Sequence, residues 1–202
     1  MRSMLLIGLA CGLLLAGSAA CQAAQDEEGW VSLFNGKDLA GWKLRHANRK
    51  QTWQVVDGAL YNSDRGSDIH TEQTFKDFKL HIEFKVPRGG NSGVYLRGRY
   101  ELQVADSFGR KPGKGGCGAL YGKFAPAQEA CKKADEWQSF DVTLVGMKLT
   151  VLHNGIKIHD EVTIPGHTGG SMGGKEPDPG PLMLQGDHTR VWYRDIRIQP
   201  IE

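Results

Sequence analysis

The chain has 202 residues, 25 Lys+Arg against 23 Asp+Glu, a formal net charge of +2 and 27 glycines. That near-neutral balance, without a basic block or stripe, excludes the electrostatic footprint of a nucleic-acid-binding protein. After the first apolar run nothing approaches the roughly 20 residues of a membrane-spanning helix, and a chain of this size buries a real core as one domain.

Arg2, an apolar run from Met4 to Ala16 and the small residues Gly17, Ser18, Ala19 and Ala20 have the order of a signal peptide, placed at 1–20. Cys21 then resembles the lipid-accepting cysteine of bacterial lipoproteins, although Ser18 stands where leucine is usual; simple cleavage is the alternative. The expectation is an exported protein, periplasmic or held to a membrane only by an N-terminal lipid. A short tether over 21–29 leads into one domain over 30–202. Cys117 and Cys131 remain in that domain, and an exported compartment favours a disulfide between them over two free thiols.

Trp30 to Phe34 reads as a strand stopped by the turn residues Asn35-Gly36. Trp53–Val56 and Ala59–Tyr61 flank Asp57-Gly58, a two-residue hairpin signal, and Leu149–Leu152 and Ile156–Ile158 flank Asn154-Gly155 in the same way. From Lys79 to Val86 the residues Leu80, Ile82, Phe84 and Val86 alternate with polar ones. Gly93 to Val104 predicts two strands broken near Gly98. Phe140–Val145, Pro181–Gln185 and Val191–Ile198 complete the set, and no window shows a sustained helical period. Many short strands with glycine-rich turns mean an all-β sandwich or barrel. Three long irregular stretches, 44–50, 108–135 and 163–181, are where binding residues are expected.

The densest polar cluster runs from Asn91 to Ser107. Period two places Arg99, Glu101 and Gln103 on one strand face and Tyr100, Leu102 and Val104 on the other. Asp106 joins the polar face only if a bulge follows Val104; otherwise it points inward or lies in the loop. The plainer alternative is a solvated strand whose charges pair. The spacing Glu101-x-Gln103-x-x-Asp106 looks like the Glu-x-Asp-x-x-Glu strand of laminarinase-type β-glucanases, which have a concanavalin-like fold. Gln103 in place of the middle Asp puts their two-carboxylate mechanism in doubt.

A broader likeness covers nearly the whole mature chain. Gly29–Trp42 (GWVSLFNGKDLAGW), Trp53–Leu60, Phe78–Phe84, Gly90–Arg97, Tyr100–Gln103, Asp106-Ser107, Cys117–Tyr121, Glu136–Phe140 and Pro181–His188 follow in one order. This set resembles the 3-keto-disaccharide hydrolase family, also described as 3-keto-glucoside 1,2-lyase and 3-keto-2-hydroxy-glucal hydratase domains. The resemblance implies a two-sheet antiparallel β-sandwich of concanavalin-like type and an oligosaccharide or glycoside substrate oxidised at C3. It also implies chemistry by elimination: a ketone at C3 acidifies the C2 hydrogen, a base removes it, the C1 group leaves and water adds back. Glu101 or His188 would be the base, Arg97 and Arg99 the cations for the enolate, and Asp106 or Asp187 an orienting or protonating acid. Asn91, Tyr95, Gln103, Tyr121, Gln185 and Asp187 would hold the sugar; Tyr95, Tyr121 and Trp137 are stacking candidates, with a place in the core the equal alternative for Trp137. Asp187 and His188 are a weak metal pair, so metal and cofactor stay unassigned. A noncatalytic glycan-binding module and a laminarinase-like hydrolase are the alternatives.

Overall fold

A computed structural model describes residues 25–26 and 29–202. The signal peptide, Cys21 and most of the tether lie outside the described residues.

Strict alternation builds the larger sheet. In β7 (Phe78–Lys85) and β10 (Gln138–Val145) every second residue is buried, so one face of each strand closes the core. Around them pair β1 (Gln25–Asp26), β2 (Trp30–Ser32), β11 (Lys148–His153), β12 (Ile156–Thr163) and β14 (Val191–Pro200), in the order β1-β2-β14-β7-β10-β11-β12. The hairpin of β4 (Trp53–Val56) and β5 (Ala59–Asn62) joins through β14, making nine strands among the described residues. Asp57-Gly58 and Asn154-Gly155 both carry positive φ, from 51° to 78°, as a type I′ turn requires at both central positions. In β14 the buried set switches from Val191 and Tyr193 to Ile196 and Ile198. A register shift between Arg194 and Arg197, with Asp195 at φ 44°, restores the inward face.

The second sheet has five strands in the order β3 (Trp42–Leu44), β6 (Ile69–Thr71), β13 (Met183–Leu184), β8 (Asn91–Leu96) and β9 (Tyr100–Ala105). Among the described residues the strands of both sheets pair antiparallel. The two sheets enclose one core that includes Leu80, Ile82, Phe84, Val94, Leu102 and Phe140. The expected all-β sandwich is therefore observed. The sequence reading missed β3 and β6, because three residues are too short to display a period.

In β8 and β9 the pairs Leu96–Tyr100, Val94–Leu102 and Ser92–Val104 point into the core. Tyr95–Glu101, Gly93–Gln103 and Asn91–Ala105 occupy the outer face. That face is buried as well, which sets it apart from a solvated strand whose charges merely pair. The covering comes from two of the long loops, which satisfy the free edge of β9. Thr168 Oγ1 accepts from Glu101 N at 2.9 Å, and Tyr121 N donates to Glu101 O at 3.0 Å. Gln103 N and O pair with Ala119 O and Gly118 N.

Candidate active site

Between those loops lies a cavity of about 250 Å³ lined by Asn91, Tyr95, Glu101, Gln103, Tyr121, Gly169, Gly170, Gln185, Asp187 and His188. It thus gathers residues from β8, β9, the end of β13 and both loops. Glu101 is at its floor, 3% exposed. Burial pushes its carboxyl up to about 7; the nearby charges of Asp187 and Asp68 add to that, and a hydrogen bond from Tyr95 opposes it. Such a carboxyl changes charge near neutral pH, the property of a general base or acid.

The groups in hydrogen-bond reach of the Glu101 carboxyl are neutral and polar. With its amide turned so that nitrogen meets acceptors, Gln103 donates to Glu101 Oε1 at 2.9 Å and to the Ser92 carbonyl at 3.1 Å. Its other end lies 3.1 Å from Asn91 Oδ1. The single proton of the Tyr95 hydroxyl is shared between two acceptors, Glu101 and Gly169 O, the latter at 2.9 Å. Burial raises the Tyr95 pKa, with the Glu101 charge adding to it, so the phenol stays protonated. Gln185 Oε1 is buried with no hydrogen-bond partner among the described residues, an acceptor presented to a cavity that needs one for a hydroxyl.

Also lining the cavity, His188 Nδ1 lies 2.5 Å from Asp187 Oδ1. Asp187 Oδ2 is 3.7 Å from Arg49 Nη1. The carboxylate holds the ring through Nδ1 and so sets its orientation.

Three expected catalytic residues are held elsewhere. Arg97 is 1% exposed; its guanidinium donates to Lys76 O, to Gly146 O at 2.8 Å and to Asp77 Oδ1 at 2.8 Å. Arg99 donates to the carbonyls of Lys175 and Asp178. Both therefore tie loops to the hairpin and leave the cavity without a strand-borne guanidinium. No bulge follows Val104, since Asn91 and Ala105 stay in register. Asp106 lies in the loop, where Oδ2 accepts from Gly89 N at 2.9 Å, and it lines a neighbouring cavity. Trp137 is also remote from the site, stacked under Arg194 at 4.0 Å on the outer face of the large sheet.

Several contributors were not read from the sequence. Buried Asp68 accepts from Gly186 N at 2.9 Å and pairs with Arg45 at 3.2 Å, and Arg45 holds the Gly170 and Ser171 carbonyls. These contacts position the loop against Tyr95. Only the glycine run Gly169-Gly170 hinted at them: a Cβ on Gly170 would come 2.5 Å from the Tyr95 hydroxyl.

Cys117 and Cys131 are free thiols here, so the expected disulfide is not formed. Their sulfurs instead share a cluster with His153.

The profile of the 3-keto-alpha-glucoside-1,2-lyase-like domain matches residues 29–199. A Bacteroides thetaiotaomicron protein named 3-keto-disaccharide hydrolase is 32% identical over 84 residues, which are 37% of this chain and 29% of that protein. The chain thus spans less than a third of that relative's length. A crystal structure from Parabacteroides distasonis, provisionally described as a glycosyl hydrolase, superposes with a TM-score of 0.74 at 31% identity, covering 86% of this chain and 84% of that one. Bacillus licheniformis β-glucanase shares the fold alone, with a TM-score of 0.54 at 11% identity over 87% of this chain and 100% of the other.

Proposed function

The chain belongs to the 3-keto-alpha-glucoside-1,2-lyase-like family, and from that premise we propose that it cleaves glycosides oxidised at C3 by elimination followed by hydration. The observation that carries this reading is Glu101: a carboxyl at the floor of a sugar-sized cavity, with its pKa at about 7. A sugar-binding surface has no use for such a group, whereas abstraction of a C2 hydrogen made acidic by an adjacent ketone does.

In this mechanism the Glu101 carboxylate takes the C2 hydrogen, and the electrons pass through the C2–C3 bond to the ketone oxygen. Neutral donors face that oxygen, among them the Asn91 amide and the Tyr95 hydroxyl, which can swing from Gly169 O. Collapse of the enolate breaks the C1–O bond. His188, oriented by Asp187, gives its proton to the departing oxygen. Water then adds at C1 and gives its proton to His188, which restores the acid, while protonated Glu101 returns a proton to C2, and the net result is hydrolysis. The stabilisation assigned from sequence to Arg97 and Arg99 passes to neutral donors, which suits a site where a fixed cation would lower the Glu101 pKa. We further propose that the protein is exported, as the N-terminal sequence pattern suggests.

The test is an assay of the purified protein with a 3-keto-glucoside and with its unoxidised parent. Release of aglycone from the first alone, with transient enone absorbance, is expected. Release from the parent would instead make it a conventional glycosidase, and binding without release a glycan-binding module.

A further inference from the structure

We propose that Cys117, Cys131 and His153 form a zinc-type metal site that fastens the loop after β9 to the nine-stranded sheet. One ligand atom from each residue lies within 4.8 Å of the other two. Tetrahedral zinc, with Zn–S of about 2.3 Å and Zn–N of about 2.0–2.1 Å, spaces its donors by roughly 3.5–3.8 Å, so small side-chain adjustments close the site. Two thiols and an imidazole are also the donor set that soft-to-borderline metals select.

The histidine is already oriented for this role. Its Nε2 lies 3.0 Å from Gln138 Oε1, and that oxygen is identified because it also accepts from Lys132 N at 2.9 Å. The carboxamide oxygen has no hydrogen to give, so Nε2 carries the proton and Nδ1 keeps its lone pair. Nδ1 faces Gly118, the residue after Cys117; a Cβ there would be 3.6 Å away. An outer partner that fixes the tautomer of a ligating histidine is a regular feature of metal sites. Both cysteines line a second cavity, of about 380 Å³, together with Glu129. Glu129 Oε1 is engaged by Cys131 N at 2.9 Å and stands outside the three-residue cluster, which leaves the fourth position to water.

The same loop supplies Gly118, Ala119 and Tyr121 to the edge of β9. A metal there braces one wall of the sugar cavity from behind without entering the chemistry, and the proposal stands apart from the substrate assignment.

The full chain, purified without chelator or reductant, should carry close to one equivalent of zinc. Exchange for Co²⁺ should give sulfur-to-cobalt charge-transfer absorption and the strong visible bands of a tetrahedral site. Gln138→Leu keeps all three ligands and should weaken Zn²⁺ binding about 10- to 100-fold. Cys131→Ser should abolish the charge-transfer band, with near-ultraviolet circular dichroism reporting the fold. A protein whose intact mass is short by two hydrogens and which takes up no metal is a disulfide, and overturns the proposal. Thiols that alkylate equally fast with and without Zn²⁺ overturn it too.

Discussion

Gly93 and Glu101 are packed so closely across β8 and β9 that a Cβ on the glycine would stand 2.5 Å from Glu101 Oε1. The absent side chain is what lets the carboxylate lie flat on the sheet beside Gln103. Gly93→Ala should therefore move the carboxylate, lowering kcat by about 10²-fold, the scale of a misplaced catalytic group. Overpacking of this kind costs about 1–3 kcal/mol, so the variant should still fold. A kcat equal to the parent's, in a variant whose sheet has not shifted, would remove Glu101 from the mechanism.

Glu101→Gln tests the same group through pH. A base must be deprotonated, so kcat/KM should rise with pH through about 7 in the parent, and Glu101→Gln should fall by 10²-fold or more. Stability runs the other way. The folded pKa lies above the ordinary carboxyl value of 4.5, so the folded state holds the proton more tightly. Its contribution is complete below about 4.5 and is lost as pH climbs through about 7. Glu101→Gln should flatten that loss, and at pH 8 be the more stable protein by about 2–3 kcal/mol. Thermal melts of both proteins across this range provide the measurement.

Arg97 answers a different question. It holds the Lys76 and Gly146 carbonyls and the Asp77 carboxylate from a fully buried position. Arg97→Ala leaves those acceptors unpaired and should cost roughly 3 kcal/mol; the partial exposure of Asp77 keeps the figure from rising further. Per folded molecule, turnover should hold, as judged by denaturant titration alongside activity. A collapse of kcat with intact stability would return the guanidinium to the chemistry.

His188 should show itself through the leaving group. If it protonates the departing oxygen, His188→Ala should slow substrates with poor leaving groups by about 10²-fold and barely affect activated aryl glycosides. Equal losses across an aglycone series would instead mark it as a sugar contact.

The sandwich was legible because burial in β7 and β10 follows a period of two, and because Asp57-Gly58 and Asn154-Gly155 announce their turns. The cavity was half legible: Glu101, Gln103, Tyr95 and Asn91 share one pleated face by parity, and His188 followed from the closing motif. Parity fails for Arg99, because β9 begins only at Tyr100 and Arg99 sits in the turn before it, from which its long side chain ties down the carbonyls of Lys175 and Asp178. Spacing along a strand says which side a residue leaves from, not where a long side chain ends. Asp68 and Arg45 were invisible for a related reason, since their roles depend on contacts with residues more than a hundred positions away.

The mechanism itself can be read from one hydrogen. Elimination removes the C2 hydrogen to Glu101, and the later hydration step returns a proton to C2 from a carboxyl that exchanges with solvent through the open cavity. Turnover of a 3-keto-glucoside in D₂O should therefore place deuterium at C2 of the released 3-keto sugar, seen by NMR and by a mass increase of one deuterium. Direct displacement at C1 never breaks the C2–H bond and leaves the position protiated. The product also exchanges slowly on its own, because its C2 hydrogen is acidified by the same ketone, so the early time course has to be compared with free 3-keto sugar held in the same buffer. Glu101→Gln adds a second control: it should suppress both cleavage and enzymatic exchange if one base serves both. Product released without deuterium, faster than background exchange, rules out the elimination and leaves a displacement for which the cavity offers Glu101 and Asp187 as its carboxylates.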